Sequence, residues 1–142
     1  MMPLHATTDW NDVARIEHLA LWTDDIERLA AFYARYLGAS VGPAYRNPAT
    51  GFESRFVAFG DGARLELMKS TQLQPVRHQA GAQRMGLTHL AIALGSEGQV
   101  DELTAQLRRD GFPVVDGPRR TGDGYYESVV LDPDGNRIEL TA

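Results

Sequence analysis

Two histidines stand at the same point of a repeated pattern. The triplet His18-Leu19-Ala20 recurs as His89-Leu90-Ala91 at an offset of 71, and Arg64-Leu65-Glu66-Leu67 recurs as Arg137-Ile138-Glu139-Leu140 at an offset of 73. Self-similarity at a nearly fixed offset is the mark of repeated architecture, so the chain is expected to fold as two similar units. Weaker echoes agree: Phe52-Glu53-Ser54 is matched to Tyr126-Glu127-Ser128, and Asp61-Gly62 to Asp134-Gly135.

Each unit reads as strand, helix and three strands. Ile16, His18, Ala20 and Trp22 alternate with Glu17, Leu19 and Leu21, which predicts a strand. Thr23-Asp24-Asp25 supplies capping oxygens for a helix striped by Ile26, Leu29, Ala30, Tyr33, Tyr36 and Leu37 and stopped at Gly38. A weak edge strand over 39–46, broken by Gly42 and Pro43, precedes strands at Glu53–Phe59 and Ala63–Lys69 around the turn Gly60-Asp61-Gly62. The second unit predicts a strand over Leu87–Leu94 and a helix capped by Ser96 with Gln99 and closed by Gly111. A short strand Pro113–Gly117, a loop over 118–124, a strand Tyr125–Leu131 and a last strand Asn136–Thr141 complete it. The boundaries are an arm over 1–14, unit one over 15–69, a connector over 70–85 and unit two over 86–142, together one domain. His5 in the arm and His78 in the connector are expected at the surface.

Strand parity then fixes the chemistry. Leu19, Leu21, Leu65 and Leu67 oppose His18 and Glu66, and Leu90, Ile92, Leu94, Ile138 and Leu140 oppose His89 and Glu139. The aliphatic side should pack on the helix. Two imidazoles and two carboxylates are thereby left on the other face, where covering them unpaired would cost several kcal/mol each. A divalent cation resolves that cost, and a nitrogen and oxygen donor set suits Zn, Ni, Co, Mn or Fe(II). A single strand histidine is commonly a hydrogen-bonded core residue; the recurrence in register is what argues for a shared metal site.

The chain resembles the vicinal oxygen chelate (VOC) superfamily, the glyoxalase, bleomycin-resistance and dioxygenase group. The resemblance rests on Ile16-Glu17-His18-Leu19-Ala20, Phe32-Tyr33-Ala34-Arg35-Tyr36-Leu37-Gly38, Gly86-Leu87-Thr88-His89-Leu90-Ala91 and 132–140, Asp-Pro-Asp-Gly-Asn-Arg-Ile-Glu-Leu. It implies an α+β fold in which two tandem βαβββ units form paired open, barrel-like mixed sheets with a metal site in the cavity. His18, Glu66, His89 and Glu139 fall on the four metal-ligand positions of glyoxalase I. The two-histidine, one-glutamate set of the dioxygenases is a poorer match, so the resemblance tilts to the glyoxalase branch. It implies a lyase or isomerase whose divalent metal binds two vicinal substrate oxygens and stabilises an enediolate while a carboxylate moves a proton between adjacent carbons. Glu139 is the first choice of base and Glu66 the alternative. The other readings are a metal-dependent dioxygenase and a metal-free protein that binds a small molecule or antibiotic, as bleomycin-resistance members do.

Trp22 stands where the common glyoxalase I carries an arginine for glutathione, and Ser70 where it carries an asparagine. An indole there points to an apolar or aromatic substrate portion. Arg119 and Arg120 are possible anion contacts, Tyr125, Tyr126 and Glu127 possible cavity lining, and Arg55 and Arg64 members of cross-strand charge pairs. A net charge of −5 argues against nucleic acid or an anionic membrane as partner. The absence of cysteine excludes disulfides and thiolate chemistry and suits a reducing, cytoplasmic setting. A sheet with one uncovered face requires a second sheet, in the chain or from a partner, so a homodimer acting on a small molecule is expected.

Overall fold

The computed structural model describes residues 11, 13–74 and 79–142; His5 and His78 lie outside the described residues. The first unit runs β1 (His18–Trp22), α1 (Ile26–Leu37), β2 (Ser40–Val41), β3 (Tyr45–Asn47), β4 (Phe52–Ala58) and β5 (Arg64–Ser70). The second runs β6 (His89–Ala93), α2 (Glu97–Arg109), β7 (Val114–Arg120), β8 (Tyr126–Leu131) and β9 (Arg137–Thr141). Their sheets have the same order, β1-β5-β4-β2 and β6-β9-β8-β7, with β3 also paired to β4. In each, the first strand runs parallel to the last and the other pairs are antiparallel. The α+β architecture of two open mixed sheets is therefore as the repeat predicts.

Local chemistry accounts for the elements. Asp25 Oδ1 accepts from Arg28 N at 3.0 Å to start α1, and Gly38 at φ 66° ends it by donating to the Ala34 carbonyl, the left-handed closure that glycine adopts without a Cβ penalty. Ser96 Oγ accepts from Gln99 N at 3.2 Å and starts α2. Gly42 and Pro43 break the weak edge strand into two pieces, each of which still pairs with β4.

Two expectations are corrected. The second strand of unit two does not end at Gly117: it continues through a cis Gly117-Pro118 bond to Arg120, with register shifts between Val114 and Arg119. A proline donates nothing to a ladder, but an irregular edge strand tolerates it. Arg119 and Arg120 thus sit in a strand. The second correction concerns the repeat. Phe56 lies opposite Glu66 and Val129 opposite Glu139, so β4 maps on β8 at an offset of 73, and Ser54, rather than Glu53, is the counterpart of Glu127. In a strand that one-residue slip exchanges the faces.

The core holds where parity puts it. Leu65, Leu67, Ile138 and Leu140 are at most 5% exposed and join Leu29, Tyr33, Val57, Val100, Leu107 and Val130 in one cluster beneath the two helices; each such side chain contributes roughly 1.5–3 kcal/mol by leaving water. The units are joined through α1. Phe32 meets Phe112 with ring centroids 5.0 Å apart, and Arg28 pairs with Asp134 at 2.8 Å. Gly135 matters here: at φ +82° any Cβ would stand 2.9 Å from Ala80 Cα, where the connector closes onto the last hairpin through Gly81 N and the Gly135 carbonyl at 3.0 Å.

Candidate metal centre

The parallel pairing of β1 with β5 sets Ala20 beside Glu66 and His18 beside Arg64, so His18 and Glu66 share the face turned away from α1. Their Nε2 and Oε1 atoms are 3.8 Å apart. Glu17 accepts from His18 Nδ1 and from Arg64, and these two partners hold its carboxyl below the usual carboxylate range. An ionised carboxylate can only accept, so the proton of a neutral His18 lies on Nδ1 and the Nε2 lone pair turns to Glu66. Phe56 meets the imidazole edge-on at 5.4 Å. Strand alternation alone would send Glu17 to the opposite side; its carbonyl still accepts from Arg64 N at 3.0 Å, and from this position at the end of β1 its side chain reaches His18 and Arg64. No sequence signal short of its place between His18 and Arg64 in space marks that role.

The second unit repeats the arrangement. Ala91 lies beside Glu139 and His89 beside Arg137, with His89 Nε2 and Glu139 Oε2 3.2 Å apart. Thr88 replaces Glu17 at the matching position. Glu127 is new to this face: its carboxyl is pushed up to about 7, first by a hydrogen bond with Glu139 and then by burial and the Glu139 charge. Glu127 keeps its proton more tightly because a second charge beside Glu139 is costly.

The histidine face is open within the chain. The His18 and His89 side chains are 41% and 37% exposed, against 18% and 17% for Glu66 and Glu139. The burial cost expected from parity therefore applies only when another sheet covers the face. Among the described residues no three His, Asp or Glu side chains converge on one point suited to a metal, so the structure brings together two pairs and not one set of four.

Trp22 lies on the His18 face, edge-on to Phe52 at 6.2 Å. Arg119 is opposite Glu127 on the His89 face and pairs with Asp116 at 3.0 Å. Tyr126 does not reach that face: it points to the helix side, where its hydroxyl donates to Asp101 and its ring lies under Arg120, and that hydrogen bond raises its phenol above the ordinary value. Arg120 also pairs with Glu97 on α2. Arg55 bonds Glu27 of α1 at 2.7 Å and the Gly42 carbonyl at 2.8 Å, tying helix to sheet rather than strand to strand. Beside Glu66 a groove of 670 Å³ runs past Phe56, Phe52 and Tyr45, and nothing in the alternation marks it in advance.

The donors suit a divalent ion. Two cis donors at about 2.1 Å from one ion stand about 3 Å apart, near the 3.2 Å and 3.8 Å separations found, and the Glu17 bond orients one imidazole as second partners of ligating histidines do.

Residues 15–140 match the family model of the Glyoxalase/Bleomycin resistance protein/Dioxygenase superfamily. The chain belongs to this superfamily. The uncharacterized protein YqjT of Bacillus subtilis (strain 168) is 29% identical over 133 residues, covering 89% of this chain and 98% of the relative. Among solved structures, the trypanothione-dependent glyoxalase I of Leishmania major superposes with a TM-score of 0.71 at 26% identity, over 90% of this chain and 86% of that one. A glyoxylase/bleomycin resistance protein/dioxygenase domain from Frankia sp. EAN1pec superposes with a TM-score of 0.75 at 17% identity, over 91% and 97%, a likeness of fold alone. Of the superfamily's features, the paired units and their open sheets are those seen here.

Proposed function

We propose that this superfamily member is a divalent-metal-dependent lyase or isomerase of the glyoxalase type, acting on a small substrate with vicinal oxygens. The observation that carries the reading is the recurrence of one His–Glu pair, at one strand register, in both units. His18, Glu66, His89 and Glu139 would hold the ion. When bound, a divalent ion polarises two adjacent oxygens of the substrate as a Lewis acid. Because the two pairs do not converge within the described residues of the chain, each ion would be held by His18 and Glu66 of one chain together with the second pair supplied by a partner copy. Two exposed aliphatic residues, Ile16 at 66% and Leu87 at 79%, each two positions before a histidine, support a homodimer that covers the open faces.

Glu139 is the base in this reading. Glu139 would hold the proton it takes from carbon on its own carboxylate until the adjacent carbon accepts it; it has a second carboxyl, Glu127, on the same face of the neighbouring strand, whereas Glu66 has Ser54 at the matching position. Glu66 is accordingly a ligand first. Trp22 and Phe52 wall one side of the substrate space, and His18 is held in a single tautomer by Glu17.

The test is metal analysis of protein purified without added metal, followed by turnover of α-ketoaldehyde thiol adducts under anaerobic conditions. Bound metal near one per chain with oxygen-independent turnover is the expected result. Oxygen consumption on catechols would move the protein to the dioxygenases, and failure to bind metal at all would remove the reading.

A further inference from the structure

The two faces that carry the His–Glu pairs are lined differently. At equivalent strand positions Phe56 corresponds to Val129, Ser54 to Glu127 and Trp22 to Ala93. The face of the second unit therefore places Glu127, Arg119 and Asp116 around Glu139. The face of the first unit is mainly aromatic around Glu66. Its groove of 670 Å³ is formed by Val41, Pro43, Tyr45, Phe52 and Phe56 as well as Glu66 itself, so it opens directly on the candidate ligand. Tyr45 and Trp22 both meet the Phe52 ring, each with centroids 6.2 Å away, and their own exposures are 55% and 52%. Three rings thus make one wall with surface left to cover.

The cation lining the groove, Arg64, is committed. It pairs with Glu17 and its guanidinium lies 4.0 Å over Phe56. A carboxylate entering here would lose its water and find the nearest positive charge already neutralised, which is unfavourable. An uncharged ring gives up only weakly held water on entry, and both aromatic edge contacts and burial favour it.

We propose that the substrate carries its vicinal oxygens on an aromatic or similarly bulky, uncharged apolar group, and that this group lies in the groove against Tyr45 and Phe52, with Trp22 flanking Phe52. The assignment rests on the metal-chelate reading for the oxygen-bearing end only. The more polar lining of the other unit then meets the opposite end, so the substrate enters in one orientation.

Benzohydroxamate and acetohydroxamate share one bidentate oxygen head and differ in the ring, so calorimetric titration of nickel-loaded protein with each isolates the groove. Benzohydroxamate should bind at least about tenfold tighter, and this ratio should fall toward one in Tyr45→Ala and Phe52→Ala, while Phe52→Leu, which keeps apolar volume, retains part of it. Equal affinities in the wild-type protein would overturn the groove assignment and leave the metal reading intact. If neither hydroxamate needs metal to bind, the metal reading fails, and the groove is decided separately with 2-naphthol and metal-free, isotope-labelled protein. Shifts of the Val41, Tyr45 and Phe52 amides support the groove; shifts elsewhere or none overturn it.

Discussion

Tyr33 Oη donates a 2.8 Å hydrogen bond to Asp132 Oδ2, linking the helix of the first unit to the last hairpin of the second. Asp132 also accepts from Asp134 N, Asn136 N and Asn136 Nδ2, each at 2.9 Å, while only 3% exposed. Removing the hydroxyl in Tyr33→Phe leaves that carboxylate one donor short in a buried place, and the expected loss is about 1–3 kcal/mol in urea denaturation. An unchanged midpoint would show that the bond joins the units without stabilising them.

The same carboxyl gives a pH dependence. Burial raises Asp132 above its ordinary 3.8, outweighing the bonds it accepts from Asn136 and Tyr33. The folded state therefore binds its proton more tightly than the unfolded state does, so its contribution is complete below about pH 3.8 and is lost as pH rises through the folded value. The stability of the wild type minus that of Asp132→Asn should fall over this interval and level off above it. Denaturation midpoints of both proteins across the acid range check it, and a difference that grows with pH has the wrong sign.

Complementation tests whether sites are shared between chains. A chain with His18→Ala and Glu66→Ala and a chain with His89→Ala and Glu139→Ala should each be inactive. Refolded together, half of the dimers are mixed, and each mixed dimer owns one intact site and one empty of all four ligands, so about one quarter of wild-type activity returns. No recovery would place all four ligands in one chain.

Glu139→Gln should lower kcat by about 10²–10⁴, the usual range for loss of a positioned base, with Glu66→Gln losing metal affinity more than turnover at saturating metal. Steady-state kinetics beside metal titrations separates the two effects, and the reverse pattern would exchange the roles.

The alternation around His18 and His89 made the helix-facing and open faces legible, because a period of two leaves a strand residue only two sides. Which repeat positions match was less legible. Glu-Ser occurs at 53–54 and 127–128, and matching those letters gives an offset of 74, yet the hydrogen-bonded register requires 73. Glu127 consequently belongs beside Glu139, and Tyr126 belongs under α2. Pro118 misled in a different way, since the strand it should end is an edge with irregular pairing. The aromatic wall was least visible: Tyr45, Phe52 and Trp22 lie on three strands, and only their pairing order makes them neighbours.

The bond between Tyr33 and Asp132 has a mechanical meaning in a shared-site dimer. Each chain would act as a stiff strut with one half of a site at either end. The interval between the two sites would then be set by side chains on the far side of the sheets from both.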